Sequence, residues 1–175
     1  MIYLFYLACI VLYIVSPCNL ALGVSVDHMV GIFTYQFMHA NVLHLIVNIL
    51  SLCLMYNPIK KIYETRFSAI RIPNLFVVLY ISSVMVGGFC ALPEPTVGAS
   101  GMVFFILGAI LGLRPTKQQF INYIWIFLGV IVSAIAGHSN TLLHIVAFLI
   151  GVVFAILRIK YDDCRTEHNR RVQTN

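Results

Sequence analysis

Charged and turn-forming residues cut the chain into six apolar stretches, at about 2–22, 40–57, 74–92, 100–113, 119–137 and 141–157. Met1 to Val26 carries no charge. The second stretch stops at Pro58, Lys60 and Lys61, and the third runs into Pro93-Glu94-Pro95. The fourth is short, lying between Gly98 and Arg114-Pro115, and a polar tail follows the sixth from Arg158. A bilayer-crossing helix takes about 20 residues, so six of them use roughly 120 and leave about 55 for loops and ends. The first stretch lacks the leading Lys or Arg and the cleavable small-residue site of a signal peptide. It is expected to be a retained span. The pattern predicts an all-α, polytopic membrane bundle: a transmembrane domain over 1–158 and a short basic tail over 159–175.

Composition narrows this further. Hydrophobic residues make up 61 % of the 175, charged residues 10 %, and the mean hydropathy is +0.94; a soluble domain carries about a quarter charged residues. Disorder, collagen and secreted disulfide scaffolds are excluded. Cysteines 9, 18, 53, 90 and 164 form no metal-ligand or CxxC spacing. All 11 basic residues fall on one side of the six-span plan: Lys60, Lys61, Arg66 and Arg71 after the second span, Arg114 and Lys117 after the fourth, the other five after the sixth. Positive residues stay on the cytoplasmic side, which predicts both termini inside. The net charge of +5 then reports orientation and contact with anionic lipid; nucleic acid is not an expected partner.

Polar side chains within spans are costly and mark function by default. His44 and Asn48 lie in the second span, Ser100 opens the fourth, and His144 is near the start of the sixth. Taken singly, each also fits ordinary packing or interhelical hydrogen bonding. Ser100 and His144 each stand 14 residues above a basic residue at the inner end of their span, Arg114 and Arg158, a rise of about 21 Å. His44 and Asn48 stand about 24 and 18 Å above Lys60. All four therefore reach one level, on the order of 10 Å below the outer surface of a core about 30 Å thick.

Faces agree with depths. His44 and Asn48 share one helix face at i and i+4. Gly101, Gly108 and Gly112 form a stripe on the fourth span; His144, Ala147, Gly151 and Ala155 form one on the sixth. Small residues let membrane helices approach closely, which would bring Ser100 to His144. A serine needs a base to become nucleophilic, and imidazole is the usual one. Gly98-Ala99-Ser100-Gly101 sets that serine at a helix start, where unpaired amides favour negative charge; His44 and Asn48 offer further donors. No Asp or Glu lies in any span, so the most that can be built is a Ser–His dyad. An aspartyl mechanism is excluded, and without HExxH so is a zinc metalloprotease. No cofactor or metal is expected.

Phe33-Thr34-Tyr35-Gln36-Phe37-Met38-His39, His44-Leu45-Ile46-Val47-Asn48, Gly98-Ala99-Ser100-Gly101, and His144 with Ala147 and Gly151 together resemble the rhomboid family of intramembrane serine proteases. The resemblance implies a six-helix bundle with Ser100 as nucleophile and His144 as general base and then acid. His44, Asn48 and the Ser100 amide become the oxyanion site. His39 matches a histidine in the family's loop-to-helix entry region, which leaves it either a structural polar cap or a direct part of catalysis. Four departures stand out: Ala147 replaces a family glycine, Phe104 stands where some relatives have a tyrosine stacked on the base, the first loop lacks Trp-Arg, and the usual glycine and glutamate after the second span are not at family spacing, Glu64 being the one nearby acid. The implied activity is cleavage of single-span membrane proteins near the outer end of their helix, at a site open to the extracytoplasmic side of the cell membrane. Two other readings use the same residues: a catalytically silent protein that binds membrane helices, and a haem or ion site on His44 and His144.

Overall fold

In a computed structural model the described residues are 1–17, 19–67, 74–113 and 140–174, with the single positions 117, 121, 124 and 128. Five helices organise them: α1 (Ile2–Val15), α2 (Val42–Phe67), α3 (Leu75–Phe89), α4 (Ser100–Gly112) and α5 (Thr141–Thr174). Among the described residues there are isolated bridges but no strand. The fifth apolar stretch, about 119–137, lies outside the described residues apart from three single positions.

Helix α4 is the hub. Every residue from Ser100 to Ile110 is buried, and the helix packs closely on α5 and also against α2 and α3. The outer helices are built the other way round. Leu4, Ile14 and Val15 of α1, Leu43 and Ile46 of α2, and Leu157 of α5 are each more than half exposed. Large apolar side chains turned outward in this number suit hydrocarbon as the surrounding solvent rather than water. Thr141–Tyr161 is, among the described residues, the one helical segment both long and apolar enough to cross a bilayer. Ile2–Val15, Val42–Asn57, Leu75–Phe89 and Ser100–Gly112 are shorter apolar helices.

Three helix ends depart from the apolar pattern. α2 runs through Pro58, Lys60 and Lys61 to Phe67, past the expected end at 57. α1 stops at Val15, short of the expected 22, because Ser16 precedes Pro17 and takes a non-helical conformation (φ −143°, ψ 71°). α5 continues past Arg158 to Thr174, where only a polar tail was expected. Its sequence sets Glu167 three and four positions before Arg170 and Arg171, a spacing that supports an exposed helix.

The 26 residues between α1 and α2 run through short 3₁₀ turns at Leu20–Leu22, Met29–Phe33 and Tyr35–Phe37. They are tied to the segment that leads into α4. Val24 N–H donates to Thr96 O (3.0 Å), Thr96 N–H donates to Val24 O (2.8 Å), and Val26 N–H donates to Leu92 O (3.0 Å). These bonds satisfy backbone groups that a helix would otherwise pair internally.

Candidate active site

The site starts from the entry into α4. Gly98 has φ +114°, a conformation that side chains beyond glycine resist. A Cβ there would also stand 2.6 Å from Cε1 and 2.7 Å from Nε2 of His44. The left-handed step turns the chain so that Ser100 becomes the first residue of α4, with Ala99 as an N-cap that supplies no side-chain bond. The Ser100 and Gly101 amides therefore donate to no acceptor among the described residues. A helix start with unpaired N–H groups is a place where negative charge is stabilised.

Close packing of α4 on α5 sets the other half. A methyl added at Gly108 would strike the Phe148 carbonyl oxygen, and one at Gly151 would strike the Phe105 carbonyl oxygen. Each helix thus lays its backbone in a notch left by the other's missing side chain. Gly112 faces Ala155 in the same way, with a Cβ there 2.7 Å from that of Ala155. Ala147, buried in the seam, is small enough to keep it closed. At the upper end this brings His144 Nε2 to 2.8 Å from Ser100 Oγ. Both residues are buried.

One turn along α4, Phe104 stacks flat on the His144 ring, with centroids 4.3 Å apart and planes 13° from parallel. Nδ1 of His144 makes no hydrogen bond among the described residues, so the ring is held by stacking and by the hydroxyl rather than by an acid. If Ser100 O–H donates to Nε2, the imidazole proton sits on Nδ1. That is the arrangement in which the imidazole can accept the serine proton.

Helix α2 contributes from a third side. Asn41 Oδ1 caps its start by accepting from His44 N–H at 2.8 Å. The His44 ring lies against Gly98 and makes no hydrogen bond of its own among the described residues. Asn48, almost wholly buried, spends one amide hydrogen on His44 O at 2.9 Å and keeps a second, while its Oδ1 has no partner among the described residues. His39 Nδ1 lies 3.3 Å from Phe37 O, and its ring meets His44 edge to face at 5.3 Å. Burial, and after it the neighbouring His44, hold His39 well below the usual histidine range.

The family model described as the Rhomboid domain matches residues 26–161. The chain belongs to the rhomboid family. It is therefore an integral membrane protein built as a helical bundle, in a family whose members are generally intramembrane serine proteases and include inactive ones. No curated protein matches the chain. Among the described residues of this rhomboid no three His, Cys, Asp or Glu side chains gather as a metal site.

Two sets of residues around the site were given no role from the sequence, although Tyr35 stands within the Phe33–His39 motif. Asn140 caps α5 four residues before His144: Oδ1 accepts from Leu143 N–H (2.9 Å) and Nδ2 donates to Cys90 O (2.6 Å) and Thr96 Oγ1 (3.2 Å). Its signal was present, since asparagine before an apolar helix is a favoured N-cap. Tyr35 and Ser83 form the second set, joined through Tyr35 O–H at 2.7 Å from both Ser83 O and Ser83 Oγ. Ser83 is a polar residue within the third apolar stretch, and the same argument from cost that picked out Ser100 applied to it.

Proposed function

We propose that this rhomboid is an intramembrane serine endopeptidase that works through a Ser100–His144 dyad. The single observation that carries the reading is the 2.8 Å approach of Ser100 Oγ to His144 Nε2, under a stacked Phe104. His144 takes the hydroxyl proton as Ser100 attacks the scissile carbonyl. The oxyanion that forms is met by the Ser100 amide, by His44 and by the spare hydrogen of Asn48. His144 then gives its proton to the departing amine, leaving an acyl-enzyme on Ser100. Water, activated by the same imidazole, hydrolyses that ester and frees the serine.

The substrate is a single-span membrane protein cut near the outer end of its helix. Six spans with both termini in the cytoplasm place the dyad on the order of 10 Å below the extracytoplasmic surface, by the count of residues from the inner basic markers. A helical substrate must unwind locally at the cut, because its amides are otherwise bonded to one another. Weak helix formers are therefore expected at the cleavage site. The catalytic unit spans 1–158, and the surrounding partner is membrane lipid of the cell membrane.

Purified protein in detergent, incubated with a panel of single-span substrates, tests this. Cleavage near the outer end of at least one substrate, abolished by Ser100→Ala and by His144→Ala in protein that stays folded, is the expected result. Asn48→Ala leaves partial activity, since one oxyanion donor is worth about 3 kcal/mol. Cleavage undiminished in the Ser100 variant contradicts the reading.

A further inference from the structure

The first turn of α4 has no side-chain cap, yet it must hold Ser100 Oγ within a few tenths of an ångström of His144. What fixes it comes from outside the helix, and three contacts of one residue converge there. The Tyr35 carbonyl accepts from Gly98 N–H at 2.8 Å, two residues before the nucleophile. The Tyr35 hydroxyl reaches Ser83 O and Ser83 Oγ, both at 2.7 Å, on α3. The tyrosine is wholly buried and wedged between two glycines. A Cβ at Gly87 would stand 2.8 Å from ring atom Cε1; one at Gly101 would stand 2.8 Å from Ser83 Oγ and 3.3 Å from the Tyr35 hydroxyl. Gly101 is the residue after the nucleophile.

We infer that Tyr35 is a positioning residue for the nucleophile, a strut that joins the loop before α2 to α3 and fixes the approach of Gly98-Ala99-Ser100 to the base. This rests on the dyad reading above. Its backbone carbonyl holds the left-handed step in place, and its hydroxyl locks the ring to α3, so that the carbonyl cannot drift. The strut touches neither Ser100 Oγ nor His144. Its removal therefore changes how often the hydroxyl lies in line with the imidazole, and leaves substrate docking as it was.

Tyr35→Phe deletes the hydroxyl and keeps the ring between the glycines. The readouts are the rate of labelling by a small fluorophosphonate, which reads the nucleophile without a docked substrate, and kcat and KM on a cleaved single-span substrate. About a tenfold fall in both labelling rate and kcat, with KM unchanged in folded protein, is expected. Ser83→Ala removes the partner side chain and should lower the same two rates by a smaller factor. The double variant should be no slower than Tyr35→Phe alone, since both act through one bond. A role in stability alone would lower the unfolding temperature and leave the labelling rate of the folded protein unchanged, and that result overturns the inference. Should Tyr35→Phe fail to fold, Ser83→Ala decides by the same criterion. Wild-type protein that takes no label at Ser100 overturns the dyad reading itself. Label on the wild type with unchanged rates in the variants overturns only the strut.

Discussion

Helices α1 and α4 look alike by hydropathy and pack in opposite ways. Neither carries a charge, and both are short apolar helices. Yet α4 is buried on every side from Ser100 to Ile110, whereas α1 buries Ile2, Phe5, Tyr6 and Cys9 and turns Leu4, Leu7, Val11 and Ile14 outward. In water an apolar surface seeks the interior; in lipid it has no such preference. What separates the two helices is the small-residue content of α4. Gly101, Gly108 and Gly112 let neighbouring backbones and side chains come within contact, whereas α1 has no glycine and only Ala8 and Cys9 as small residues. Inside and outside are thus set by shape, and Ser100 lies on the helix whose position shape fixes most tightly.

Substitutions that alter shape without altering polarity should break this contrast most strongly. Gly108→Val puts branched carbons into the Phe148 carbonyl. It is expected to cost about 3 kcal/mol or more and to lower the unfolding temperature in detergent steeply, the largest effect here. Gly98→Ala combines a strained φ of +114° with a collision on His44; it should cost about 2 kcal/mol and depress cleavage more than stability. Phe104→Ala removes the ring stacked on His144. A stacked pair is worth about 1 kcal/mol beyond its area, so kcat should fall about fivefold, while Phe104→Tyr keeps it near wild type. Leu7→Ala, on the outward face of α1, should move stability by less than about 0.5 kcal/mol. If it costs as much as Gly108→Val when unfolding is measured in the same detergent, the contrast between the two helices is lost.

The site was legible where chemistry demands particular residue types at fixed spacing. His44 and Asn48 at i and i+4, Ser100 between glycines and His144 above Gly151 could be read directly, and the depth count brought them together before any packing was known. The stacking of Phe104 on His144 was expected only from the resemblance to the family. The ties that hold these helices at their working distance were not readable. The bridge from Val24 to Thr96 is made by backbone groups, which carry no side-chain signature. Tyr35 meets Ser83 across 48 positions of sequence, a pairing that only the fold creates. The end of α1 was misread: Pro17 carries a local rule that stops the helix at Val15, and the unbroken apolar run to 22 hid it. The onset of α4 at Ser100 and of α5 at Thr141 matches the apolar pattern because Gly98 and Asn140 mark those turns.

Phosphonylation mapped by mass spectrometry on intact protein tests the central claim most directly. A fluorophosphonate should add one phosphonyl group, located on Ser100, and the adduct should vanish in Ser100→Ala and form far more slowly in His144→Ala. An adduct on another residue, or one that forms at the same rate without His144, would contradict the account.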